Sequence, residues 1–524
     1  MKWFLLLLVV LSPCTANKLL ADEPTNSLPT DGAKPNILFI FADDMMWDSI
    51  GAFENCPVET PNLDRLAKQG VRFSHAYNMG SYSPAVCVAS RTMLNTGSTL
   101  WHAAALAPKN KNTSSYLIEK RKSDGYWSQW MKQAGYETYF TGKWHVPGTD
   151  VKGLFDHVAH VRAGMPAGAK RQYARSFTPG QPDGWSYDET EGGYWEGGTH
   201  WSEVLATDSE AFLEQATTSE KPFFMYLAFN APHDPRQAPK EFLDRYQVDD
   251  VKVPANFLPE YPYNEYAGAG RGLRDERTAP FPRTEHSIQV TRQEYFALIT
   301  HMDVQIGRIL DALEATGKAD NTYIFFTADH GLAVGDHGFL GKQNMYDSSM
   351  RVPLLMVGRG LEAGKTVDAP VYMQDVMATS LEIAGAPKPA QVEFNSLLPL
   401  AKGKTDTSSY DDIYGAYFGK QRMLRTDQYK MIIYPTANMV RLYDMVSDPL
   451  EMNDLASGPS RPVKLLKTLF KQFQKLQKEM DDPVDVSEAF QNFLSDVPPP
   501  LISTAKQQKQ KKQKKQNKTE AMAH

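Results

Sequence analysis

Cysteine is scarce in this chain: three residues, Cys14, Cys56 and Cys87, in a length of 524. Three cysteines build no disulfide framework, so the fold must rest on a hydrophobic core large enough to stand alone. Long apolar runs are scarce as well. Beyond the first residues nothing approaches the ~18 consecutive apolar residues of a membrane span, so no stable span is expected. Strong charge of one sign is also missing, although the formal net charge of −6 conceals a local excess. Seven lysines lie in "KQQKQKKQKKQNK", from Lys506 to Lys518. Without that tail and Glu520, 49 of the 56 Lys+Arg face 61 of the 62 Asp+Glu, a body at −12. So acidic a body is a poor nucleic-acid binder, and no nucleic-acid partner is expected. The tail itself reads as a solvated low-complexity charge run.

What is present is the composition of a globular protein, 42% hydrophobic and 23% charged, with 35 Gly and 34 Pro. The opening "MKWFLLLLVVLSPCTA" joins a lysine, a short apolar run and small residues at Cys14 and Ala16. This pattern predicts a signal peptide over 1–16 and export, to the periplasm or as a secreted protein; Pro13 speaks against lipid attachment at Cys14. With that segment removed, only Cys56 and Cys87 remain. Either they bridge, or they stay as two buried thiols, or Cys87 is not a thiol in the mature protein.

Residues 17–34, polar and rich in Pro, Gly and Asp, read as a linker. From 35 to 405, short apolar runs alternate with amphipathic stretches, which predicts an α/β sandwich around a largely parallel sheet. Buried strands are expected at 36–41, 136–140, 222–229, 322–328 and 352–358, and helices at 61–70 and 290–317. The Gly-, Trp- and Tyr-rich stretch 163–200 reads as long loops. From about 406 to 495 the texture changes to polar-alternating strands followed by an amphipathic helix, "PVKLLKTLFKQFQKLQKEM", a small α+β subdomain. Residues 496–524 complete the chain as a disordered Lys/Gln-rich tail.

Ionisable residues collect at the carboxyl ends of four predicted strands. "NILFIFADD" ends in Asp43 and Asp44, "YETYFTGKWH" in Lys143 and His145, "PFFMYLAFNAPHD" in His233 and Asp234, and "TYIFFTADHG" in Asp329 and His330. In a parallel sheet these ends share one edge, where ligands bind. One strand-end Asp is usually a turn former, but four such ends mark a site. Asp43, Asp44 and Asp329 together carry too much negative charge to stand unpaired, and a hard divalent cation answers this. An oxygen-rich shell with at most one nitrogen, from His330, favours Ca2+, with Mg2+ the alternative, over zinc. Arg91, Lys143, His145, His233 and Lys342 supply the positive charge and proton donors that an anionic ester of sulfur or phosphorus needs. His75, His286 and His301 read as structural.

The residues around Cys87 carry a resemblance. "CVASRTMLNTG" presents Cys87, Val88, Ala89, Ser90 and Arg91, then Leu94, Thr96 and Gly97. It resembles the signature of the type I, formylglycine-dependent sulfatases. In the family's order it is accompanied by "NILFIFADD", "TGKWH", "APHDPRQAP" and "TADHGLAVGDHGFLGKQNMYDSSMRVPLL", with a weaker echo in "LYDMVSDPLEMNDLA". The resemblance runs from about residue 35 to 360 and points to the iduronate-2-sulfatase- and choline-sulfatase-like branch of the alkaline phosphatase superfamily. It implies an alkaline-phosphatase-like α/β sandwich with a smaller C-terminal α+β subdomain, and hydrolysis of a sulfate ester. It also implies oxidation of Cys87 to Cα-formylglycine (3-oxoalanine) by a formylglycine-generating or anaerobic sulfatase-maturating enzyme. By similarity, a hydroxyl of the hydrated aldehyde attacks sulfur, aided by a metal held by Asp43, Asp44, Asp329, His330 and position 87. His233 and Lys342 would bind the sulfate and protonate the departing alcohol. His145 would take the proton of the second hydroxyl, and Arg91 and Lys143 would hold the formylglycine. Ala89 stands where many members have Pro, and His330 where many have Asn. His337 fits a family histidine near the site.

Two rivals remain at this level: a phosphatase or phosphonate monoester hydrolase of the same superfamily, and a non-catalytic sulfoglycan-binding relative. Export and Trp- and Arg-rich loops favour a sulfated carbohydrate as substrate. Trp47, Trp101, Trp144, Trp185, Trp195 and Trp201 could stack on sugar rings or fill the core. Arg236, in "HDPRQ", pairs a substrate anion or makes a surface salt bridge.

Overall fold

A computed structural model describes Met1 and residues 33–53, 56–106, 125–166, 170–173, 175, 177–181 and 184–501. The expected signal peptide after Met1, the linker up to residue 32 and the tail beyond Leu501 lie outside the described residues. From Pro35 onward the chain forms one compact unit.

The strands of its two largest sheets, in chain order, are β1 (Asn36–Ala42), β2 (Val71–Phe73), β3 (Gly80–Ser81), β4 (Glu137–Lys143), β5 (His157–Arg162), β6 (Phe223–Ala228), β7 (Thr322–Ala328), β8 (Leu354–Val357) and β9 (Lys365–Val367). Four more follow, β10 (Ile413–Tyr417), β11 (Gln421–Arg425), β12 (Tyr429–Tyr434) and β13 (Met439–Asp444). All but β3 and the last four form an eight-stranded sheet in the order β9-β2-β8-β7-β1-β6-β4-β5. The run β7-β1-β6-β4-β5 is parallel throughout. Strands β1, β6 and β7 are buried along their whole length. This is why they read as unbroken apolar runs: a parallel strand is covered on both faces.

One expected strand differs in direction. Strand β8 runs antiparallel to β7. A parallel return needs a crossover to the other end of the sheet. The connection from Asp329 to Met350 holds only one four-residue helix, Asp347–Met350, so the chain re-enters the sheet from the edge at which it left.

Helix α1 (Pro61–Gln69) opens at Pro and closes before Gly70, as its sequence predicts. Helix α2 (Val86–Thr96) carries Cys87 in its first turn and stops at Gly97, left-handed at φ 69°. Helix α3 (Trp201–Thr217) packs on α4 (Glu285–Ala315). The latter begins five residues before the apolar pattern at 290 does. Thr284 accepts from the Ser287 N–H while Ser287 accepts from the Thr284 N–H, a reciprocal cap that extends the helix backwards.

The C-terminal stretch forms a second sheet, β13-β12-β11-β10-β3, backed by α5 (Val463–Glu479). Its edge strand β3 comes from far upstream, five residues before α2, and pairs parallel with β10. Gly80 makes this possible: at φ +87° a Cβ there would stand 2.0 Å from the Ala416 carbonyl oxygen. The small sheet is therefore stitched to the segment that leads into Cys87.

An ion pair anchors the end of α5 to the same sheet. Arg422 and Asp482 are fully buried and meet at 2.5 Å (Nε to Oδ2) and 2.7 Å (Nη2 to Oδ1). Tyr414 donates a further bond to Asp482. Asp482→Asn leaves a buried guanidinium without its counter-charge and is expected to lower stability by about 3–5 kcal/mol, read as a fall in the urea midpoint. A midpoint shift worth under about 1 kcal/mol would contradict this reading.

Candidate active site

The four parallel strand ends meet where their sequence placed them. Asp43 follows β1, Lys143 ends β4, His233 lies five residues beyond β6, and Asp329 follows β7. Asp43 and Asp329 extend the ladder, their N–H groups donating to the carbonyls of Ala231 and Ala42. Asp44 then turns sharply, at φ 67°. Asp329 Oδ1 accepts the Asp44 N–H at 3.2 Å, and the Tyr295 hydroxyl donates to its carbonyl at 2.7 Å. A left-handed aspartate held by two such bonds is strain kept at a functional position.

Each carboxylate has its own cation. Lys143 Nζ bonds Asp43, and Lys342 Nζ reaches both oxygens of Asp44 at 2.9 and 2.7 Å. Arg91 Nε donates to Asp329 Oδ2 at 3.0 Å, and its Nη1 donates to the Lys143 carbonyl at 2.6 Å. Ser90 and Asn78 both donate to the Asp329 carbonyl. All six charged residues are buried.

Cys87 stands among them, 3% exposed, and it is not bridged to Cys56; both thiols are free. Burial alone would lift the Cys87 thiol. Lys143, Lys342 and hydrogen bonds with His145 and His233 overcome it and hold the group well below the ordinary thiol range. This corner is thus built for negative charge at position 87, and the first turn of α2 adds its positive end. Burial keeps His145 below its ordinary value, which favours a neutral imidazole. His233 is pushed the other way, to about 10: burial works downward, but the Asp44 carboxylate prevails. Its Nδ1 lies 3.0 Å from Asp234 Oδ1 and 2.7 Å from the Asp234 carbonyl, so its Nε2 faces the site.

The donor set fits a metal. Ligand atoms of Asp43, Cys87, Asp329 and His330 all lie within 4.8 Å of one another. Among the described residues, Asp43 Oδ1 and His330 Nε2 are buried without a hydrogen-bond partner. His330 Nδ1 faces the Gly331 carbonyl at 2.9 Å, which turns Nε2 inward towards Asp44 Oδ1 at 3.1 Å. With Asp44 the set is three carboxylates and one imidazole, hard donors suited to a divalent cation.

The family model described as "Sulfatase" matches residues 35–386. The chain belongs to the sulfatase family. A second model, "N-sulphoglucosamine sulphohydrolase, C-terminal", matches residues 335–479. This sulfatase is 30% identical to a "Sulfatase" of Formosa agariphila, over 86% of this chain and 87% of that one. Among solved structures it resembles a protein in complex with its substrate D-glucosamine-2-N,6-O-disulfate, with TM-score 0.67, 24% identity, and 87% and 100% of the two chains covered. It also resembles a phosphonate monoester hydrolase from Silicibacter pomeroyi, with TM-score 0.67, 21% identity, and 85% and 96% covered. The sulfatase is therefore a sulfuric ester hydrolase with the alkaline-phosphatase-like α/β fold and its C-terminal subdomain.

Three residues expected at the substrate lie elsewhere or differ in setting. Trp101 is no sugar platform: it is 4% exposed, its Nε1 donates to the Tyr414 hydroxyl at 2.8 Å, and Arg422 covers its ring. His337 is stacked on Tyr346 at 3.7 Å and bonded to Asn256, and burial pushes it down to about 3. Packing, not the site, holds it. Among the described residues Arg236 makes no salt bridge: it is 5% exposed and its Nε has no hydrogen-bond partner there.

Gly164, which no motif marks, touches the site directly. A Cβ there would stand 2.6 Å from Cε1 and Nε2 of His145. Gly164→Ala must displace the imidazole, and displacements near 1 Å cost about 100-fold in rate. The expected result is a loss of kcat on a sulfate ester of that order with an unchanged melting curve. An unchanged kcat would show that the ring has room.

Proposed function

We propose that this chain is an exported sulfatase acting on a sulfated carbohydrate, with Cys87 oxidised to formylglycine as its nucleophile. The observation that carries this is the setting of position 87. The first residues of a helix, two lysines and two histidines converge on one buried side chain and favour negative charge there. The substrate class is supported by the structural neighbour whose own substrate is a sulfated glucosamine. Export rests on the opening segment of the sequence.

Asp43, Asp44, Asp329, His330 and position 87 would hold the divalent cation, Ca2+ or Mg2+, which would supply Lewis acidity to the ester oxygens. The chain's own residues do the rest. Lys143, Lys342 and the helix N-terminus bind the anionic ester and offset the charge that builds on its oxygens. Arg91 ties Asp329 to the Lys143 backbone and so fixes the distance between two strand ends. His233, kept protonated by Asp44 and oriented by Asp234, delivers a proton to the departing alcohol at Nε2. His145, kept neutral by burial, accepts the proton of the hydroxyl that remains at position 87, so that sulfate leaves without a water having to attack a shielded anion.

Cys87 is buried inside α2, so its conversion by a formylglycine-generating or anaerobic sulfatase-maturating enzyme must act on a chain that has not closed over it. Intact-peptide mass spectrometry of active protein should find the residue-87 peptide about 18 Da lighter than the cysteine form. Cys87→Ala should abolish turnover, and a chelator should remove it reversibly. A cysteine of unaltered mass in active protein would overturn the mechanism. The likeness to a phosphonate monoester hydrolase supports a second reading. Matched sulfate and phosphate esters decide between the two, and faster phosphate hydrolysis would reject the sulfatase assignment.

A further inference from the structure

Arg274 lies outside every motif of the sequence, in the loop between Gly270 and the short 3-10 turn Asp275–Thr278, yet it reaches the reaction centre. Its inner side is fixed: Nε donates to Asp275 Oδ1 at 2.8 Å, Nη2 bonds the same oxygen, and Asp234 Oδ1 lies 3.6 Å away. Its outer edge is different. Nη2 stands 3.4 Å from His233 Nε2, the atom assigned above to the departing alcohol, and Nη1 rests on the Met165 sulfur. A thioether is a weak acceptor, and the imidazole nitrogen is needed for the ester. Beyond the Asp275 and Asp234 oxygens on its inner side, the outer edge of the guanidinium faces only a sulfur and the imidazole.

Exposure points the same way. The side chain is 40% exposed, whereas His233 and Lys342 behind it are 2% exposed. Arg274 thus stands where the buried pocket opens to solvent. One turn on, Arg277 lies 5.2 Å over the ring of Tyr173 and has no ion pair among the described residues. Two arginines thus lie on this one turn, although the body as a whole is acidic. The outer edge of a planar guanidinium matches paired anionic oxygens, which displace a weak sulfur contact at little cost and which a hydroxyl does not offer.

We propose that the outer edge of Arg274 receives a second anionic group of the substrate, a carboxylate or a second sulfate, next to the ester being cleaved. This makes Arg274 a specificity-determining residue, and it rests on the sulfatase reading above. Asp234 and Asp275 hold the fork in place and balance it until the substrate arrives.

The test uses three aryl esters: phenyl sulfate, 3-carboxyphenyl sulfate and benzene-1,3-diyl disulfate. Wild-type protein should show the higher kcat/KM on one or both of the acid-bearing esters, and the better of the two names the group. Arg274→Met should lower the ratio of acid-bearing to plain ester by about 10- to 100-fold, the range of a charge-assisted paired contact. Arg274→Lys keeps the charge without the fork, holds Asp234 and Asp275 in balance, and should fall between. A wild type with no preference, or an equal fall on all three esters in both variants, would overturn the proposal. If phosphate esters are cleaved and sulfate esters are not, the sulfatase reading fails. The same ratio measured on the corresponding phosphates then still decides the role of Arg274.

Discussion

Three carboxylates crowded at one dry edge of the sheet are the constraint on which the structure depends. Asp43, Asp44 and Asp329 are buried, and each is held by a cation brought from a different part of the chain. Lys143 comes from β4, two strands away from β1, Arg91 from α2 and Lys342 from the long loop after β7. Removing one leaves a buried carboxylate short of counter-charge, and a buried charge left without its partner costs several kcal/mol. The same balance shapes the acid–base groups. Asp43, Asp329 and His330 are pulled in opposite directions by burial and by one another: Asp43 up, Asp329 down, His330 up to about 9. A site poised in this way is indifferent to none of its members, and it is receptive to an added cation and an added anion together.

The C-terminal sheet holds the far side of the site. Lys430, without accessible surface, bonds Asp347 and lies 2.8 Å from Glu451, whose other oxygen accepts the Asp347 N–H. Asp347 belongs to the same loop as Lys342. Gln421 donates to the Gln343 carbonyl, and Gln343 reaches back to Asp275 and to the Pro84 carbonyl. The cysteine helix, the lysine loop and the Arg274 turn are thus joined through one glutamine. The small domain fixes the distances between groups that the large sheet only brings near.

Much of this was legible in the chain itself. Parallel strands buried on both faces leave unbroken apolar runs, and polar residues ending such runs can only lie on the ligand edge. Asp43, Lys143, His233 and Asp329 follow from that rule, and Arg91 and Lys342 from the family motifs. Direction was harder: β8 looks like any buried strand, and only the return path of the 329–350 loop makes it antiparallel. Arg274 and Gly164 left no trace, because they act through where irregular loops pass, and loop paths follow from tertiary contacts. Trp101 and His337 show the converse, since residue types common in sugar and sulfate sites here fill a core.

The pairing of β3 with β10 has a temporal meaning. Position 87 emerges from synthesis 330 residues before Tyr417, which completes the edge beside it. At roughly 5–20 residues per second that interval is on the order of half a minute. Throughout it four of the five strands of that sheet have yet to be completed, and β3 is without its partner. The edge beside position 87 is therefore supplied by residues made long after it, and the C-terminal sheet ties an early part of the chain to a late one.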